Sequence, residues 1–117
     1  MKAAAPAALL VVLAAAGPAR AEDWRYCVGV APAAHETVIT DIFASGADSA
    51  RIEHRLEAYF RARKAKIMTF QCPQGSEERY AALNAQTAAL QFNRQMGYSV
   101  DGLTAAEIAT IASDGSF

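Results

Sequence analysis

The chain has 117 residues, with 11 Lys and Arg set against 12 Asp and Glu, for a formal net charge of −1. One domain's worth of chain with nearly balanced charge excludes a multidomain enzyme, a multi-span membrane protein and a strongly basic nucleic-acid binder. Neither length nor composition points to a catalytic activity.

Residues 1–21 have the pattern of a cleaved secretory signal peptide. Lys2 supplies a positive start, Leu9 to Leu13 form the apolar centre, Pro18 breaks the helix, and Ala19-Arg20-Ala21 is a small-x-small cleavage site. The apolar run of about 14 residues falls short of the roughly 20 that a membrane span needs. No second apolar run follows, so no membrane span is expected after cleavage. Removing these 21 residues leaves a single domain at 22–117, 96 residues long. Its net charge is −3, because Lys2 and Arg20 leave while all twelve carboxylates stay. The expected localisation is periplasmic or secreted. In that oxidising setting the two cysteines, Cys27 and Cys72, are expected to form a disulfide.

Trp24 to Val30 alternates, with Trp24, Tyr26, Val28 and Val30 on one face, and reads as a first strand. Pro32 ends it, and the segment to Glu36 is a connector of the wide-hairpin type. Thr37 to Phe43 is β-branched and aromatic, a second strand. Ser45 to Asp48 turns into a helix over Ser49–Lys64, where Ile52, Leu56, Tyr59, Phe60 and Arg63 fall on one stripe. Ile67 to Cys72 is a third strand, with Met68, Phe70 and Cys72 on one face, stopped by Pro73. A second helix runs from a Ser76 cap to about Met96, with Gly97 as its C′ residue. Its apolar rows are Tyr80, Leu83, Thr87 and Leu90, and beside them Ala81, Ala85, Ala88, Phe92 and Met96. Tyr98 to Leu103 is a short fourth strand, and the Thr104-x-x-Glu107 capping box opens a last helix near 104–113.

The order β-β-α-β-α-(β)-α describes an α+β fold: a small, largely antiparallel sheet with helices on one face and one disulfide. One feature conflicts with regular alternation. Cys27 is out of phase with the apolar face of its own strand, whereas Cys72 is in phase with Phe70. Either a bulge flips one of them, or both faces of the sheet are partly covered.

The candidate functional residues form four groups. Arg61, Arg63, Lys64 and Lys66 cluster at the end of the first helix, where cations favour the dipole; they are also a candidate patch for an anionic partner. Asn84, Gln91, Asn93 and Arg94, with Gln86 and Gln95, put amides along the second helix, a candidate polar binding face. His54 and Glu57 share a helix face and, with His35, are candidate ligands for a metal carrier, although a solvated charged face explains them more simply. Catalysis has little support. There is no G-x-S-x-G, the serines sit in turns and caps, and no C-x-x-C or local charge cluster activates a thiol.

Arg25-Tyr26-Cys27, Gln71-Cys72-Pro73 and Phe92-Asn93-Arg94 together resemble a group of short secreted proteins of alphaproteobacterial type. The resemblance implies secretion and brings no activity or catalytic residues. Gly97 to Ala106 resembles the V-D-G-x…T-x-x-A stretch of peptidoglycan-binding domains, but its Gly-x-x-T spacing is shortened and it reads as a capped turn. The expected function is a non-catalytic binding or accessory module without a cofactor. It would present a sheet edge or the polar helix face to an envelope protein or cell-wall component. The alternatives are a small thiol-dependent or hydrolytic periplasmic enzyme and a metal carrier.

Overall fold

The computed structural model describes residues 23–113; the segment 1–21, read from its pattern as a signal peptide, lies outside them. Ten elements follow in order: β1 (Asp23–Arg25), β2 (Val28–Ala31), a 3-10 turn (Pro32–Ala34), β3 (Glu36–Thr40), β4 (Phe43–Ser45), α1 (Ser49–Lys64), β5 (Thr69–Gln71), α2 (Arg79–Gln95), β6 (Ser99–Leu103) and α3 (Ala105–Ser113). Among the described residues the fold is α+β, with three helices and mostly antiparallel strands. One sheet has the order β5-β2-β3-β6, in which only β3 and β6 run parallel; β1 and β4 form a second, two-stranded sheet.

The two long strands expected over Trp24–Val30 and Thr37–Phe43 are each divided, at the same level. Arg25 faces Phe43 on one side of the break and Val28 faces Ile39 on the other. Tyr26 and Cys27 therefore oppose three residues, Thr40, Asp41 and Ile42, which is a bulge. The Cys27 N–H donates to Thr40 Oγ1 (2.9 Å) and the Thr40 N–H to the Cys27 carbonyl (3.0 Å). The extra residue, Asp41, turns its N–H to the Leu103 carbonyl of β6 (2.8 Å). A hairpin that would have been continuous thus bends, and its two halves enter different sheets.

Helices cover both faces of the structure, not one as expected. Cys27, Val38, Met68, Phe70, Cys72 and Leu103 pack with Ile52, Leu56 and Phe60 of α1 and with Ile108 and Ile111 of α3. Trp24, Tyr26, Val28 and Ile42 belong to a separate cluster with Ala82 and Ala89 of α2. The physical reason is visible in β3, where Thr37, Val38, Ile39 and Thr40 are all buried. A strand with two water-avoiding faces needs a cover on each. This also resolves the phase of Cys27. Trp24, Tyr26 and Val28 face α2, while Cys27 faces α1 together with Cys72. Val28 pairs with Gln71, so one step along the register sets Cys27 opposite Cys72, and the two are joined with Cα atoms 4.2 Å apart.

Helix α1 has the expected bounds, anchored by Ile52, Leu56 and Phe60, with Tyr59 half-buried; Arg63 is exposed instead of joining the stripe. The start of α2 is later than expected. Ser76 pairs with Trp24 through two backbone bonds (2.8 and 2.9 Å), which holds it out of the helix, and Glu78 takes the cap position. Gly97 does end the helix, at φ +84°. The capping box of α3 is formed, with the Glu107 N–H donating to Thr104 Oγ1 (3.1 Å) and the Thr104 N–H to the Glu107 carboxylate (2.9 Å).

Candidate functional site

The two edges of the four-stranded sheet are treated differently. At β5, the outer edge is closed from above. Glu57 accepts the Phe70 N–H and Glu53 accepts the Cys72 N–H, both at 2.9 Å. Carboxylates four apart on a helix lie one above the other, and N–H groups two apart on a strand point the same way, so the two spacings match. These acids sit on the charged side of α1, where the sequence pattern suggested only solvation.

At β6 the edge is open. The Ser99 N–H donates to the His35 carbonyl (3.0 Å) and the Leu103 carbonyl accepts from Asp41, so Ser99, Asp101 and Leu103 turn their backbone groups to β3. The alternation of a strand then points those of Val100 and Gly102 outward. Neither has a hydrogen-bond partner among the described residues, and Ser99, Asp101 and Gly102 are exposed.

A hollow flanks this edge on each face of the sheet. On the α1 side, about 300 Å³ is lined by Phe60, Lys64, Lys66, Asp101, Gly102 and Glu107. On the α2 side, another of about 300 Å³ is lined by Asp41, Gln86, Leu90, Arg94, Val100 and Gly102. Two of the residue groups singled out in the sequence therefore converge, in part, on one strand. Lys64 and Lys66 stand on one side of β6 and Arg94 on the other.

The rest of those groups are placed elsewhere. Arg61 and Arg63 are exposed, and Lys66 is paired with Glu36 (2.6 Å). The hydrogen bond that Lys66 donates to the Glu36 carboxylate, with Asp101 adding charge, holds the ammonium above the ordinary lysine value. Asn84 and Gln91 are exposed, but Asn93 is turned inward. Its Oδ1 accepts from the Thr37 hydroxyl (3.0 Å) and its amide donates to the Ala89 carbonyl (2.8 Å). Gln86 likewise donates to the Thr40 carbonyl (2.7 Å) at the bulge. These amides tie α2 to the sheet, so Asn93 is a structural residue and not part of an open polar face. His35, at φ 53°, sets its ring edge-on to Tyr98 at 5.5 Å, His54 is exposed, and Glu57 is bound to β5. No group of three or more potential metal ligands comes together among the described residues.

Arg25, part of a resemblance motif, was not among the candidate functional residues read from the sequence. It is buried (6% exposed), and its guanidinium donates to the Ala47 carbonyl (2.9 Å), to Ser49 Oγ and to the Pro73 carbonyl (3.4 Å). It clamps β1 to the start of α1 and to the segment after the disulfide. An arginine flanked by aromatics in a strand gives a hint of this, but its acceptors are backbone carbonyls that no pattern reveals.

A larger hollow, about 680 Å³, lies between β4 and α3, lined by Phe43, Ala44, Ala105, Ile108 and Ala109 among others. Because Trp24 turns to Ser76, its partner Ala44 alone points its backbone groups outward along β4. One outward residue gives a strand little to pair with. The β6 edge has two, and hollows on both faces.

Comparison with protein-family models, with curated proteins and with solved structures found no match for this chain.

Proposed function

We propose that this protein is a non-catalytic binding module of the cell envelope, periplasmic or secreted, that takes an extended segment of a partner protein as an added strand on β6. The observation that carries the proposal is the open β6 edge with a hollow on each face, in a sheet whose other edge is closed by Glu53 and Glu57. Strand addition draws affinity from main-chain hydrogen bonds and specificity from pockets for alternate side chains. Residues of an incoming strand would point alternately into the hollow beside Lys64 and Lys66 and into the one beside Leu90 and Arg94. Exposed edges are a hazard that proteins usually blunt, and here only one of the two is blunted.

The secreted setting rests on the pattern of residues 1–21 and agrees with the disulfide. Among the described residues no helix is long and apolar enough to cross a membrane. A thiol-dependent enzyme finds no support, because both cysteines are joined in the disulfide.

Selection from a library of random linear peptides tests the reading. Binders are expected, and Gly102→Pro should weaken them by on the order of tenfold or more, since it removes one outward N–H and obstructs the edge while sparing the ladder to β3. Binders that tolerate Gly102→Pro, or that require Ala109 on α3 instead, would place recognition at the β4–α3 hollow and sink the proposal. Failure to enrich any peptide while a cell-wall glycan binds would equally overturn it.

A further inference from the structure

Helix α2 meets the sheet through Ala82, Gln86, Ala89 and Asn93, and turns Leu90 and Arg94 toward β6. The opposite flank carries Ala81, Ala85, Ala88, Phe92 and Met96, spaced four, three, four and four residues apart, so they form one continuous stripe. All five are exposed, Phe92 by 60% and Met96 by 58%. An apolar row along a helix of this length is not accounted for by the fold of one chain, whose cores it does not join.

The stripe is graded, small at its N-terminal end and large at its C-terminal end. That grading makes it complementary to itself in one arrangement. If two α2 helices pack antiparallel about a two-fold axis at Ala88, Ala81 of one faces Met96 of the other and Ala85 faces Phe92. The two Ala88 side chains then meet at the axis, where their small size permits the close end of the usual interhelical spacing, about 8 Å. A parallel arrangement would set Phe92 against Phe92 and leave the alanines without contact. The charges agree with the antiparallel choice. Between Tyr80 and Met96 the only charged residue is Arg94, which lies on the other flank, so no like charges are brought together. Antiparallel helices also place the positive end of each beside the negative end of the other.

We infer that this face of α2 docks a second copy of the chain, forming an isologous two-fold dimer. With two large side chains and three alanines per chain, the stripe falls short of the roughly 1,200–2,000 Å² that stable interfaces bury. The dimer is therefore weak and reversible, populated as concentration rises. It leaves β6 free, so its test is independent of peptide binding.

Sedimentation of the disulfide-intact chain across a wide concentration range reads the association. A monomer–dimer equilibrium is expected, and Ala85→Phe and Phe92→Ala should each weaken it by on the order of tenfold. The combined variant, Ala85→Phe with Phe92→Ala, exchanges large for small across the axis and should restore it. Leu83→Glu, on the other flank, should leave it unchanged. All three positions are exposed, and circular dichroism verifies that each variant is folded. A chain that stays monomeric, a swap that restores nothing, or loss of association through Leu83→Glu overturns the inference.

Discussion

Gly29 pairs with Phe70 across β2 and β5, and a Cβ built there would lie 2.4 Å from the ring. Phe70 covers the glycine and packs on Phe60 with centroids 5.4 Å apart, so it has nowhere to retreat. Gly29→Ala should therefore destabilise the protein by about 1–3 kcal/mol in denaturant titration, although it adds only a methyl group. Ala65 shows the reverse case. It ends α1 at φ 54°, a left-handed conformation that disfavours a side chain, with its N–H bonded to the Phe60 carbonyl. Ala65→Gly should raise stability by up to about 1 kcal/mol, measured the same way. The disulfide between Cys27 and Cys72 closes a loop of 45 residues, a constraint that contributes up to about 4 kcal/mol on the chain-entropy model. Thiol titration of the native protein should find no free cysteine, and replacing both with Ser should lower the melting temperature sharply. An unchanged melting temperature would show that packing alone holds β2 to β5. The motifs that carry the sequence resemblance have the same joining role. Arg25 reaches Pro73, Cys27 reaches Cys72, and Asn93 reaches Thr37.

Elements were legible in the sequence where periodicity and capping agree. The bounds of α1, the Gly97 stop of α2 and the capping box of α3 all rest on local chemistry, and local chemistry can be read in one chain segment at a time. The capping box also has a pH signature. The Thr104 N–H bond, and then the Thr104 hydroxyl, hold the Glu107 carboxyl below its ordinary value. Because the folded-state pKa is the lower one, this stabilisation is present above the normal carboxylate range and disappears as pH falls through the lowered value. Thr104→Ala should cost about 1 kcal/mol at neutral pH, and less in acid, where Glu107 is protonated in both chains. The bulge was legible only as one of two explanations for the phase of Cys27, and the inward face of α2 was not legible, because both depend on a partner far along the chain. Apolar periodicity picked out the rows through Tyr80 and Phe92, yet the sheet is met by Ala82 and Ala89, which allow close approach, and by amides that bond Thr37 and Thr40. The closure of β5 is likewise a contact between elements. Glu53→Ala should leave the Cys72 N–H without its acceptor and cost about 1–3 kcal/mol. Removing Glu57 as well should open a second edge and promote aggregation, seen by light scattering.

For the molecule as a whole, the two-sided cover of the sheet determines what is left for function. With α1 and α3 on one face, α2 on the other and two carboxylates along β5, the unprotected backbone of the main sheet is concentrated at β6. The sequence placed basic residues on one helix and amides on another without showing that Lys64, Lys66 and Arg94 would flank the same strand. That juxtaposition is created by the parallel return of β6 beside β3, a crossover no local pattern encodes. In the proposed function β6 presents its outward backbone groups for pairing, and amide hydrogen exchange reads this residue by residue. In the free protein the Asp101 and Leu103 amides, bonded to β3, should exchange slowly while those of Val100 and Gly102 exchange fast. A selected peptide, once bound, should slow Val100 and Gly102 without altering Asp101. Slow exchange at Val100 and Gly102 in the free chain, or rates there that a bound peptide leaves unchanged, would contradict an open edge that functions by strand addition.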